Sequence, residues 1–139
     1  AWVEQGPPLT YNTDGLSVIS LALDGSGDTL AIRPGSGTAV HVLHRQQGTW
    51  APAPTSPLVI PNLSLSEYSS LSLSQNGGRL AVGSNKESGF RGAVYVFERA
   101  GDSWAQTARI GGPAAFENFG SGVAFSASAS RSEERCEAR

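Results

Sequence analysis

Methionine is absent from the 139 residues and cysteine occurs once. With Ala1 opening directly into Trp2, the missing Met predicts a processed chain or a fragment excised from something longer, and a signal peptide already removed leaves nothing to read. The single Cys136 cannot form an internal disulfide, and its charged surroundings offer neither a metal cluster nor a core, so it is read as incidental. Charge is sparse. Asp, Glu, Lys and Arg make up 16% of the chain, the net charge is −2 and no run of Lys or Arg occurs, which excludes the electrostatic footprint that nucleic acid or anionic lipid requires. The longest apolar stretches, Leu58 to Ile60 and Val94 to Phe97, fall far short of the roughly 20 residues that span a bilayer. No window carries a helical apolar stripe of useful length, and the eight prolines and seventeen glycines punctuate at strand spacing.

What is present is a repeat. Ser20-Leu21-Ala22-Leu23-Asp24-Gly25 and Leu30-Ala31-Ile32 recur 50 positions later as Ser70-Leu71-Ser72-Leu73-Ser74-Gln75 and Leu80-Ala81-Val82. Ala39 to Leu43, followed by Gly48-Thr49-Trp50, recurs 54 positions later as Ala93 to Phe97, followed by Asp102-Ser103-Trp104, so the second copy holds four extra residues in one loop. A further copy begins at Phe119-Gly120-Ser121-Gly122-Val123-Ala124-Phe125-Ser126 and stops. Trp2, 48 residues before Trp50, reads as the end of an earlier one.

Each unit reads as four short strands. Ile19, Leu21 and Leu23 alternate with small or polar residues, as do Leu71 and Leu73, which is the period of a strand. Asp24-Gly25-Ser26-Gly27-Asp28 and Gln75-Asn76-Gly77-Gly78 supply the residues that tight hairpin turns demand. The third strands, Val40 to Leu43 and Val94 to Phe97, are apolar on consecutive residues, so both of their faces should be covered. The fold expected is all-β, built of β-propeller-type blades of four antiparallel strands. The divisions are the end of a preceding blade (1–13), two blade-like repeats (14–62 and 63–113), the first strand of a further repeat (114–126) and a disordered or truncated tail (127–139). Two complete blades leave open faces, which predicts a marginal, aggregation-prone or self-associating chain whose partners are missing blades or a second copy.

Phe119-Gly120-Ser121-Gly122-Val123-Ala124, Leu80-Ala81-Val82-Gly83-Ser84 and Gly92-Ala93-Val94-Tyr95-Val96-Phe97 together resemble the FG-GAP repeats of integrin-α-like propellers, in order and at the right spacing up to Ser126. Kelch propellers are a poorer match. The resemblance implies a non-catalytic module, secreted or at the cell surface, that binds a protein or glycan. Two departures stand out. The Asp-rich hairpin loop of calcium-binding members is missing, since the first copy keeps only Asp24 and Asp28 and the second has no carboxylate there. No cofactor is therefore expected from this segment, calcium being left to other blades of a full-length protein. Arg33-Pro34 also replaces the family's Gly-Ala-Pro.

Candidate site residues are few. His41 and His44 correspond to Tyr95 and Glu98 in the next unit, and strand positions three apart face opposite ways, so neither metal binding nor catalysis is expected of them. No catalytic residues are assigned. Asp24 and Asp28 read first as turn-formers and only secondarily as calcium ligands. Lys86, Phe90 and Arg91, in the inserted loop, are the binding candidates, because loops on a rigid scaffold carry recognition and an exposed Phe beside Arg is a usual contact pair. Asn62-Leu63-Ser64 is a glycosylation sequon. The recurring Trp2, Trp50 and Trp104 are assigned to packing. Three functions follow in order: a binding module, a purely structural pair of blades within a larger propeller, and, last, part of a propeller enzyme.

Overall fold

A computed structural model describes the chain apart from residues 5–6, 11–16, 36, 62, 64–69, 127–135 and 139, with the backbone alone described at 18, 19 and 136–138. The first repeat unit is a meander of four antiparallel strands in chain order: β1 (Val18–Leu23), β2 (Thr29–Pro34), β3 (Ala39–Gln46) and β4 (Thr49–Pro52). A short β5 (Leu58–Val59) also pairs with β3. The second unit repeats the meander as β6 (Leu71–Leu73), β7 (Arg79–Ser84), β8 (Ala93–Ala100) and β9 (Ser103–Gly111), with one helical turn α1 (Glu87–Phe90) between β7 and β8. The third sheet is a pair, β10 (Val123–Phe125) with β11 (Cys136–Ala138). The chain is thus all-β, in antiparallel sheets that do not close on themselves. No helix among the described residues is long and apolar enough to cross a membrane.

The repeat extends to register. Leu21 pairs with Ile32 and Leu23 with Leu30, as Leu71 pairs with Val82 and Leu73 with Leu80. Arg45 opposite Trp50 becomes Arg99 opposite Trp104. The hairpin turns keep their bonding while changing residue type. Asp24 Oδ1 accepts the backbone N–H of Thr29 at 3.1 Å, and Ser74 Oγ accepts that of Arg79 at 2.9 Å. Two residues on, Ser26 Oγ accepts the N–H of Asp28 and Asn76 Oδ1 that of Gly78. A short side chain bonding its own turn is what closes these hairpins.

The outer strands differ for a reason visible in the residues. Proline cannot donate to a ladder, and Pro52, Pro54 and Pro57 break the outer strand of the first unit into β4 and β5. The gap is filled locally, Ala53 N–H donating to Val42 O and Val42 N–H to Ser56 Oγ. Strand β9 has no proline and runs unbroken, with a bulge opposite Val96 and Phe97.

Side chains alternate across each sheet, so register partners share a face. Ala31, Val40 and Val42 lie on one face of the first sheet and pack with Leu71, Leu73, Leu80, Val82, Tyr95, Phe97 and Trp104 on the facing side of the second. The stacking is head to tail: one unit's second face meets the next unit's first. First strands lie together, β1 against β6 and β6 against β10. Polar contacts pin the first interface, with Gly25 N–H donating to Gln75 O at 2.9 Å, Trp104 N–H to Thr55 Oγ1 at 2.8 Å and Trp104 Nε1 to His44 Nε2 at 3.2 Å. The equivalent pairs of leucines differ in cover. Leu71 and Leu73 are 8% and 9% exposed, whereas Leu21 and Leu23 are 60% and 55% exposed.

At the second interface the third unit rests on glycine. A Cβ on Gly83 would lie 1.9 Å from Gly120 O, and one on Gly92 equally close to Phe119 O, while Val123 and Phe125 donate their N–H groups to Ser70 Oγ and Ser72 Oγ. The residue equivalent to Gly83 is Arg33, buried within β2, where loss of hydration pushes its guanidinium down to about 10. The first interface is therefore built without that close approach, and β2 continues to Pro34 with a register shift where Ser20 and Val18 pair with Arg33 and Pro34.

Three details differ from the sequence reading. Residues 136–138, expected in a tail, pair as β11 with β10. Trp104 is buried between units and Trp50 half-buried under the guanidinium of Arg45, but Trp2 is fully exposed, so the three tryptophans do not share one packing role. Strand β5 was not expected, its two residues being too few to carry a period.

Gly83→Ala is expected to lower stability by about 2 kcal/mol or more, because backbone on both sides must separate. Hydrogen exchange checks it: the amides of Val123 and Phe125 should lose protection while those of β2 and β3 keep theirs.

Candidate ligand-binding site

The inserted loop between β7 and β8 is anchored by one buried carboxylate. Glu87 accepts the Tyr95 hydroxyl at 2.6 Å and Arg109 Nε at 3.1 Å, with Arg109 Nη2 closing a second bond to the same oxygen. Arg109 also lies over the Tyr95 ring, 5.9 Å from its centroid. Burial, then the bond to Glu87, pushes the Tyr95 hydroxyl up. Hydrogen bonding to Glu87 likewise raises Arg109. The loop is thus fastened to β8 and β9 by a charge-assisted network whose carboxylate is out of water.

Above this anchor the backbone is unusual. Ser88 and Phe90 take φ of 53° and 64°, and Phe116 and Asn118 on the neighbouring loop take 66° and 53°. The only other described non-glycine residue with positive φ is Gln47, in an ordinary hairpin turn. Each such residue costs about 1 kcal/mol or more, and strain of this kind concentrates at binding and catalytic sites. The two loops are tied by bonds from Asn118 N–H to Phe90 O and from Phe119 N–H to Arg91 O.

The result is a surface with chemical character. The rings of Phe90 and Phe116 stack with centroids 6.0 Å apart and planes 17° from parallel, both exposed. Beside them a groove of about 460 Å³ is lined by Ser88, Arg91, Gly92, Arg109, Gly111 and Gly112. Flat aromatic surface next to guanidinium and hydroxyl donors suits a ligand that offers both an apolar patch and hydrogen-bond acceptors.

Of the binding candidates, Phe90 and Arg91 belong to this surface. Lys86 is exposed at the start of α1 and does not line the groove. Asp24 spends its carboxylate on Ser26 Oγ and the N–H groups of Asp28 and Thr29, whereas Asp28 pairs with Arg45 Nε at 2.9 Å. No group of three or more His, Cys, Asp or Glu that could hold a metal ion occurs among the described residues. His41 and His44 lie on opposite faces of the first sheet. Asn62 falls outside the described residues.

Phe116, Glu87 and Arg109 escaped the sequence reading. Glu87 lay inside the loop singled out, but nothing in sequence marks a loop carboxylate as buried. Phe116 had one signal, its place just before the Phe119-Gly120 start of a unit. Comparison of the chain with protein-family models, curated proteins and solved structures finds no match.

Glu87→Ala is expected to destabilise the chain by about 2 kcal/mol, since it strands the Tyr95 hydroxyl and Arg109 without their acceptor. Exchange of the Gly92 and Asn118 amides, which bond across the loop, should accelerate by more than that of β2 amides, and Glu87→Gln should fall between the two.

Proposed function

We propose that this chain is a segment of a β-propeller-type repeat array of the FG-GAP kind, and that the Phe90–Phe116 surface with its arginine-lined groove binds a protein or glycan ligand. The observation carrying the array reading is the contrast between equivalent leucines: Leu71 and Leu73 are covered by the preceding unit, and Leu21 and Leu23 stand more than half exposed on the face that a unit upstream would cover. Covering both to the same extent is worth about 2 kcal/mol. Head-to-tail stacking of four-stranded meanders, with first strands together, is the arrangement from which propellers are made. The motif resemblance supports a secreted or cell-surface setting.

For the binding part, support comes from strained backbone and exposed aromatics gathered at one place. The alternative, units that only complete the core of a larger propeller, is favoured by the loop's bonding back onto its own sheet, Glu87 accepting from Tyr95 and Arg109.

Two measurements test the reading. Placing a duplicate of residues 14–62 ahead of the chain should bury Leu21 and Leu23, raise the melting temperature and lengthen the cooperative unit. An added unit that leaves these leucines solvent-exposed contradicts the array. Immobilised protein probed with a glycan array and with cell-surface extracts should retain ligand that Phe116→Ser and Arg91→Glu each release by about tenfold or more. Retention unaffected by either variant removes this surface from consideration.

A further inference from the structure

We propose that the His44–Trp104 hydrogen bond is an acid-sensitive latch between the first and second sheets, closed while the imidazole is neutral and opened when it takes a proton. An indole N–H can only donate. With Trp104 Nε1 3.2 Å from His44 Nε2, that ring nitrogen must be the acceptor, and the proton of the neutral ring sits on Nδ1. Protonation adds a hydrogen to Nε2, so two donors then face each other across an interface in which both side chains are buried.

The surroundings set the balance. Arg99 from β8 opposes a positive charge on His44. Asp102, in the β8–β9 turn, and Asp24, in the β1–β2 turn, favour one. Asp102 Oδ1 lies 3.9 Å from Nδ1, but the same oxygen is also held by Arg99 Nη2 at 3.2 Å, so its charge is shared. Burial is the largest influence, and with Arg99 it holds the imidazole below the ordinary value of 6.5. An unfolded chain therefore takes up the proton first. The stability that neutral His44 supports is fully present above pH 6.5 and is lost as pH falls through the folded-state value.

The latch belongs to one interface. Its equivalent in the second unit is Glu98, exposed and paired with Arg79 at 3.2 Å, so acid acts on the first interface selectively. The backbone N–H of Trp104 crosses the same interface to Thr55 Oγ1 at 2.8 Å, which fixes the main chain that carries the indole. Opening would lift Ala31, Val40 and Val42 from Leu71, Leu73 and Phe97.

The test combines denaturant unfolding from pH 8 to pH 5 with NMR of the Trp104 indole proton. Wild type and His41→Gln should lose stability below pH 6.5, with the unfolding constant rising by up to tenfold per pH unit. His44→Gln, whose amide oxygen still accepts but does not titrate, should be flat over this window. In wild type the indole resonance should shift, and its exchange accelerate, with the His44 midpoint. A pH profile of His44→Gln matching wild type, or an indole resonance indifferent to acid, overturns the proposal. Should His44→Gln fail to fold, Trp104→Phe decides: the His44 midpoint should move up toward 6.5, and an unmoved midpoint overturns the latch.

Discussion

A four-stranded sheet whose third strand is apolar on consecutive residues has two faces to keep from water and only one body with which to do it. Here the packing of Ala31, Val40 and Val42 against Leu71, Leu73, Leu80 and Phe97 resolves this for one face of each sheet, and most other features follow from it. The head-to-tail sense of that contact sets β1 beside β6 and brings the turn at Gly25 against Gln75. The same contact carries Trp104 to His44, across 60 residues of chain. Repeating the relation one step further puts Gly120 on Gly83, where only a residue without a side chain permits the approach.

The two interfaces are alike in topology and unlike in chemistry. The first is apolar with a histidine–tryptophan bond at its margin, and it accommodates a buried Arg33. The second is backbone on glycine, fastened by two serine hydroxyls. A repeat can therefore keep its register through β-ladders while each junction acquires its own response to acid or substitution, since ladder bonds lie within a unit and these side chains lie between units. The surface bearing Phe90, Arg91 and Phe116 depends on the second junction, because Phe116 belongs to the segment that leads into the third unit and Phe90 to the loop of the second.

Much of the fold was legible in the residues. Period-two alternation at Leu21 and Leu23, Gly- and Asn-bearing turns, and a 50-residue self-similarity are local signals, and each corresponds to a strand, a hairpin or a matched register. Less of the site could be read. Phe90 and Arg91 stood out as an aromatic–cation pair in an insertion, but their companions Phe116 and Arg109 lie 26 and 18 residues away, and no spacing rule links them. Glu87 looked like any solvated loop acid until its position over Tyr95 was known. His44 was correctly separated from His41 by strand parity, yet its partner in the next sheet could not be named, because parity says which face a side chain takes and not what lies opposite.

What the amino-acid sequence determined by itself is the unit: four short strands, their turns and the spacing at which the unit recurs. These rest on interactions between neighbours in the chain, which periodicity and turn chemistry encode directly. Only the tertiary structure decided which leucines are covered, which carboxylate is buried beneath a loop, where the backbone is strained and which histidine accepts a bond from an indole. Each of those depends on a surface brought from some 20 to 60 residues away, and burial, which sets both packing and proton affinity, exists only once the sheets are stacked.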